Sequence, residues 1–157
     1  MKLCEIVQSK AIVTQLESTD RDEVVGELVD ALVSARAAKK AIRDELIESV
    51  LQRERRGSTG FGRGVAVPHV KHTSVKKISV AIGLSQAGVD FNALDKQPVF
   101  SVFLLLSPEG NPEEHLQAME VIFKSLSNEM FRRFLRQATT TDEVTTLLEE
   151  FDNQQFV

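Results

Sequence analysis

A chain of 157 residues, 42 % hydrophobic and 27 % charged, has room for one domain with a real core. Its formal charge of −4, with the basic residues dispersed, argues against a nucleic-acid partner. The single cysteine, Cys4, excludes an internal disulfide and a thiolate zinc site, and fits a cytoplasmic, reducing setting. The N-terminus lacks a signal-peptide apolar core, and the longest near-continuous apolar run, Val99 to Leu106, is too short to insert across a membrane as a helix.

Ala11 to Leu16 has strand character. Thr19 or Asp20 can cap a helix whose stripe is Val24, Val25, Leu28, Val29, Leu32 and Val33. A second amphipathic helix carries Ile42, Leu46, Ile47, Val50 and Leu51, runs into Arg53-Glu54-Arg55-Arg56 and stops at Gly57. A glycine-dense loop leads into a strand from Val65 to His69. Val75 to Ser85 is a further strand, and Ala87-Gly88-Val89-Asp90 a turn. Val99 to Leu106 is apolar on both faces, as a central covered strand would be. After a loop over Ser107 to Pro112, Pro112 suits the first turn of a helix with core residues Leu116, Met119, Ile122, Phe123 and Leu126. Two short helices follow, around Met130-Phe134-Leu135 and Val144-Leu147-Leu148-Phe151, the last capped by Asp142 or a preceding threonine. Gln154 to Val157 reads as a frayed tail. Such an order predicts a sheet with helices packed against it.

The most informative stretch runs from Gly57 to His69. Glycines let a partner approach the main chain closely, and Pro68 biases its neighbourhood toward extended structure. Together they can present one imidazole at the rim of a sheet. With an ordinary pKa of about 6.5, that imidazole is a neutral nucleophile at cellular pH. His115, in the first turn of a helix that leaves a central strand, can meet His69 in space although distant in sequence. His72, without a glycine mount, reads as a solvated loop residue. Arg53, Arg55, Arg56, Arg63, Lys71, Lys76 and Lys77 flank His69 in sequence. They read first as a solvated helix end and loop, and second as a face for an anionic ligand or acidic partner.

These residues resemble a known family. The run Gln52-Arg53-Glu54, then Gly57-Ser58-Thr59-Gly60, then Gly64-Val65-Ala66-Val67-Pro68-His69 is similar to the IIA phosphocarrier domain of the bacterial phosphoenolpyruvate-dependent phosphotransferase system. The matching branch is the fructose and mannitol type, with its nitrogen-regulatory members. Val80-Ala81-Ile82-Gly83-Leu84, Gly88-Val89-Asp90-Phe91, Phe103-Leu104-Leu105-Leu106 and His115-Leu116 follow in the same order, so the resemblance covers nearly the whole chain. It implies a single-domain α/β sandwich over residues 1–153, with a mixed β-sheet and helices on both faces. It also implies a transferase without cofactor or metal. His69 would accept a phosphoryl group from a histidine-containing phosphocarrier protein, with His115 and Arg53 assisting. A IIB domain or a regulated target protein would be the acceptor, and a free-standing chain tips the expectation toward the regulatory branch. Ser58 or Thr59 would be possible further contacts. Two positions depart from the family pattern: Val70 stands where glycine usually follows the reactive histidine, and Phe61 where an aliphatic residue is usual.

Three other readings compete. A metal-dependent hydrolase would use His69, His72 and His115 with Asp90 or Glu114. A nucleotide-binding loop would require a Gly-Lys-Ser/Thr ending and a following helix, and this loop has neither. A pure docking module would keep the fold without the chemistry.

Overall fold

The computed structural model describes residues 1–155. Phe156 and Val157, the end of the expected frayed tail, lie outside the described residues. The amides of Gln154 and Gln155 bond to Phe151 O and Glu150 O just beyond the last helix.

In chain order the elements are α1 (Leu3–Ile6), β1 (Val7–Val13), α2 (Arg21–Ser34), a short 3-10 turn (Lys40–Ile42), α3 (Arg43–Arg56), β2 (Gly60–Gly62), β3 (Val65–Ala66), β4 (His69–His72), β5 (Ser79–Val89), β6 (Val99–Pro108), α4 (Pro112–Leu126), α5 (Glu129–Gln137) and α6 (Thr141–Asp152). The sheet runs β1-β5-β6-β3-β2, with β4 also paired to β6. The β1–β5, β3–β6 and β4–β6 pairs are parallel, and β5–β6 and β2–β3 antiparallel. This is the mixed sheet the resemblance implies.

Strand alternation decides which helices cover which face. Val80, Ile82, Phe103 and Leu105 join the core made with α4, α5 and α6. Ala81, Val102, Leu104 and Leu106 join the core made with α2 and α3. So β6 is apolar on both faces because both are covered, as its unbroken hydrophobic run required. Asp20, Asn111 and Thr140 cap α2, α4 and α6 by accepting from backbone amides three residues on.

Several expectations need correction. The first strand is Val7–Val13, displaced toward the N-terminus, and the four-residue α1 before it is too short to show a period. The strand expected over Val65 to His69 is two strands, broken at Val67-Pro68, where proline has no amide to give. His69 therefore opens β4 instead of closing a strand. Val75 to Ile78 stays outside the sheet, and β5 runs through the expected turn at Ala87–Val89, with Gly88 at φ +91° and an irregular register there. On α4 the buried face is His115, Ala118, Ile122, Ser125 and Leu126, while Leu116 is 67 % exposed. Met130 and Phe134 of α5 are also exposed, and Phe131 and Leu135 fill the core. Gly57 ends α3 with extended backbone that any residue could adopt.

Candidate functional site

The mount for His69 begins at the last turn of α3. Arg53 Nη1 donates to Gly57 O at 2.8 Å, meeting one of the carbonyls left over beyond the helix. Glu54, only 2 % exposed, turns inward and accepts from Thr59 N at 3.1 Å and from Thr59 Oγ1. Burial raises the Glu54 carboxyl above the usual range, and the Thr59 bonds and the charges of Arg21 and Arg53 hold part of that rise back. Ser58 Oγ donates to Phe91 O at 3.2 Å and accepts from Gly60 N at 3.0 Å. Both hydroxyls considered as phosphoryl contacts are thus engaged in shaping the loop. Gly60 is needed for close approach, since a Cβ there would stand 2.9 Å from Ala93 Cβ. The β2–β3 hairpin turns through Arg63 (φ 61°) and Gly64 (φ 78°). Two positive φ values match the primed turn that a two-residue hairpin loop favours.

From this loop a chain of hydrogen bonds reaches the histidine. Thr59 O accepts from Val67 N at 3.2 Å. Val67 O lies 2.8 Å from His69 Nδ1. A carbonyl only accepts, so the proton sits on Nδ1 and the Nε2 lone pair is left free. Burial lowers the His69 pKa. The Val67 bond opposes that shift, and the charges of Arg53 and Lys71 add to it. The ring is therefore neutral at pH 7, half-buried at the start of β4.

Strand alternation also sorts the neighbours. Val70 packs on the α2–α3 core, which puts His69 and Lys71 on the α4 side of β4. There the His69 and His115 rings lie 5.6 Å apart between centroids, tilted by 50°. His115 is 7 % exposed, and its Nδ1 is 2.6 Å from Ser107 Oγ. Burial pulls its pKa down to about 4, with His69 and Lys71 adding to the effect. The site thus combines two neutral imidazoles with two cations whose charge reaches His69. A neutral ring nitrogen among cations suits an electrophile that carries negative charge, such as a phosphoryl group.

Of the residues picked from sequence, His69 and His115 meet, and Arg53 reaches His69 through its charge. Two contributors are not singled out by the sequence: Glu54, which sits within a charged helix end, and Ser107, which reads as loop but lies in β6 and is buried. Lys71, among the charges that read first as solvated and second as a face for an anionic ligand, acts on His69 through its charge. His72 is not a solvated loop residue. It ends β4 facing the other way, with Nε2 at 3.0 Å from Glu45 Oε2 and Nδ1 accepting from Ser74 N at 3.0 Å. The three histidines therefore cannot close on one ion, which removes the arrangement a metal-dependent hydrolase needs. Val70 continues the strand opposite Leu106, so no tight turn follows His69. Phe61 is exposed, and its ring meets Phe123 edge-on at 5.2 Å.

Comparison with known proteins bears on this geometry. The family model described as phosphoenolpyruvate-dependent sugar phosphotransferase system, EIIA 2, matches residues 5–151. The PTS system fructose-specific EIIABC component of Bacillus subtilis (strain 168) is 34 % identical over 152 residues; these cover 97 % of this chain and 24 % of that protein, so the chain spans about a quarter of that relative. A nitrogen regulatory protein of Bradyrhizobium diazoefficiens is 33 % identical over 150 residues, covering 94 % of this chain and 95 % of that one. Among solved structures, nitrogen regulatory protein IIA-Ntr from Neisseria meningitidis superposes with a TM-score of 0.82 at 30 % identity, over 92 % of this chain and 97 % of that one.

Proposed function

The chain belongs to the EIIA 2 family of the phosphoenolpyruvate-dependent sugar phosphotransferase system, and from that premise we propose that it carries a phosphoryl group on Nε2 of His69. The observation that carries this reading is the 2.8 Å bond from His69 Nδ1 to Val67 O, because it leaves Nε2 unprotonated at the rim of the sheet.

The Nε2 lone pair attacks the phosphorus of a phosphohistidine on a histidine-containing phosphocarrier protein. The donor's N–P bond breaks, and its electron pair returns to the donor ring, which leaves as a neutral imidazole. His69 keeps its Nδ1 proton throughout, so the ring gains positive charge as the new bond forms. The Val67 carbonyl dipole stabilises that charge, and no base is needed. Arg53 and Lys71 offset the negative charge of the transferring group. With Ser107 Oγ–H donating to His115 Nδ1, the remaining proton of His115 sits on Nε2 and can bond a phosphoryl oxygen. The rest is in-line positioning, which the loop bonds from Glu54 to Val67 supply.

The acceptor is a regulated target protein in the nitrogen-regulatory reading, which the closeness of fold to IIA-Ntr supports. A separate IIB domain is the alternative acceptor, supported by the fructose-specific relative. Among the described residues no helix is long and apolar enough to cross a membrane. We place the chain in the cytoplasm on the same reading, since the reducing setting fits its cysteine usage.

Intact-mass spectrometry with phosphoenolpyruvate and active upstream carriers tests the proposal. One phosphoryl group per chain, lost in His69→Ala and labile in acid, is expected. No added mass, or unchanged addition in His69→Ala, would overturn it.

A further inference from the structure

Away from His69, the end of α2 and the β4–β5 connection enclose a cleft of about 600 Å³. Five cations line it: Arg36, Lys39, Lys40, Lys76 and Lys77. No acidic side chain does, in a chain with 23 acidic residues against 19 Lys and Arg. None of the five takes part in an ion pair among the described residues. Gathering five like charges without counter-charge is unfavourable in the free protein, and an anionic ligand relieves it.

The backbone adds an independent observation. Helix α2 ends with Arg36 N bonded to Val33 O and Ala37 N to Leu32 O. This helix-ending motif places one residue in the left-handed region, usually glycine. Here that residue is Arg36, at φ 62°. The chain keeps a non-glycine residue in this strained backbone conformation at a position that lines the cleft.

The floor is apolar. Val33, Ala37 and Ala38 line the cleft and pack against the α2–α3 core. A floor of this kind between point charges fits an organic anion better than a bare one. The volume lies within the range of small-molecule sites, roughly 300–1,000 Å³. The cleft belongs to the α2–α3 side of the sheet, whereas His69 faces α4, so it is no part of the transfer site.

We propose that the cleft lined by Arg36, Lys39, Lys40, Lys76 and Lys77 binds a small organic polyphosphate, with two or more phosphates on a scaffold that has an apolar face. The phosphates meet the lysines and Arg36, and the scaffold lies on Val33, Ala37 and Ala38. The assignment does not depend on phosphate transfer at His69.

The chain has no Trp or Tyr, so calorimetry and ¹H–¹⁵N shift mapping are the suitable readouts. ATP, fructose 1,6-bisphosphate and inorganic tripolyphosphate serve as probes on the unphosphorylated full chain, without magnesium. ATP or the bisphosphate is expected to bind saturably at one site, weaken with salt, and shift amides over 33–40 and 74–79. The tighter of the two identifies the scaffold as nucleoside or sugar. Arg36→Gly is expected to weaken binding at least tenfold while leaving the fold at least as stable, since glycine relieves the left-handed residue. The pair Lys39→Ala and Lys76→Ala is expected to weaken it at least as much. No saturable binding at about 1 mM of any probe would overturn the proposal. So would affinity unchanged in these variants, shifts spread over all exposed lysines or centred on His69, or tripolyphosphate binding as tightly as both organic probes.

Discussion

Among the described residues Glu54 is the only buried carboxyl, and it ties the end of α3 to the loop that carries His69. Glu54→Ala removes the acceptor for Thr59 N, at 3.1 Å, and for Thr59 Oγ1. Thr59 is itself fully buried, so bulk solvent does not reach the two donors in the intact fold. Each orphaned buried donor costs about 1–3 kcal/mol, and the truncated side chain leaves a void. A loss of about 3–5 kcal/mol follows, a large part of a domain's total stability. Glu54→Gln keeps one carbonyl acceptor and similar volume, and should cost about 1–2 kcal/mol. Urea unfolding followed by circular dichroism measures both. Under folding conditions, phosphorylation of Glu54→Gln should slow by about tenfold or more, because Thr59, Val67 and His69 are linked in series. Glu54→Ala within about 1 kcal/mol of wild type would refute the structural argument. A Glu54→Gln variant phosphorylated at the wild-type rate would refute the positioning argument.

Three further predictions rest on single contacts. His115 titrates near 4 in the fold against about 6.5 free, so between those values the unfolded chain binds a proton that the folded chain refuses. Stability should therefore fall as pH drops through that window, by at most about 3 kcal/mol from this group, and His115→Gln should flatten the fall; an unchanged slope in the variant would contradict the assignment. Ser107→Ala removes the partner of His115 Nδ1 and should slow phosphorylation roughly tenfold while leaving the His69 tautomer intact by ¹⁵N NMR. Gly60→Ala places a methyl 3.0 Å from the Ala93 backbone and should destabilise by about 1–3 kcal/mol; wild-type stability would show that the loop yields more easily than its bonds imply.

Much of the fold is legible in the sequence where a pattern is long enough to count. The α2 stripe from Val24 to Leu32 and the unbroken apolar run of β6 translate directly into one covered face and two. Legibility fails where long-range partners decide. Val75 and Ile78 are apolar and buried, yet no strand pairs with them, so their hydrophobicity signals packing and not a ladder. Pro68 breaks the strand before His69 into two pieces that both still pair with β6. At the site, His69 and His115 were readable because histidines are few and each follows a loop. Glu54 and Ser107 were not, and Lys71 was readable only as one of several charges flanking His69. A charged residue in an Arg-Glu-Arg-Arg run gives no sign that one side chain turns inward, and the side of β4 that Lys71 takes depends on a register fixed by β6. A buried glutamate five residues before a threonine is a signal only once the loop closes between them.

The position of the phosphoryl group on the phosphorylated chain tests the central claim most directly. Two-dimensional ¹H–¹⁵N and ³¹P NMR of the phosphorylated, ¹⁵N-labelled protein reads which ring nitrogen is bonded to phosphorus. The Val67 hydrogen bond predicts phosphate on Nε2 of His69, with the Nδ1 proton retained. Phosphate on Nδ1 of His69, or on His72 or His115, would contradict it.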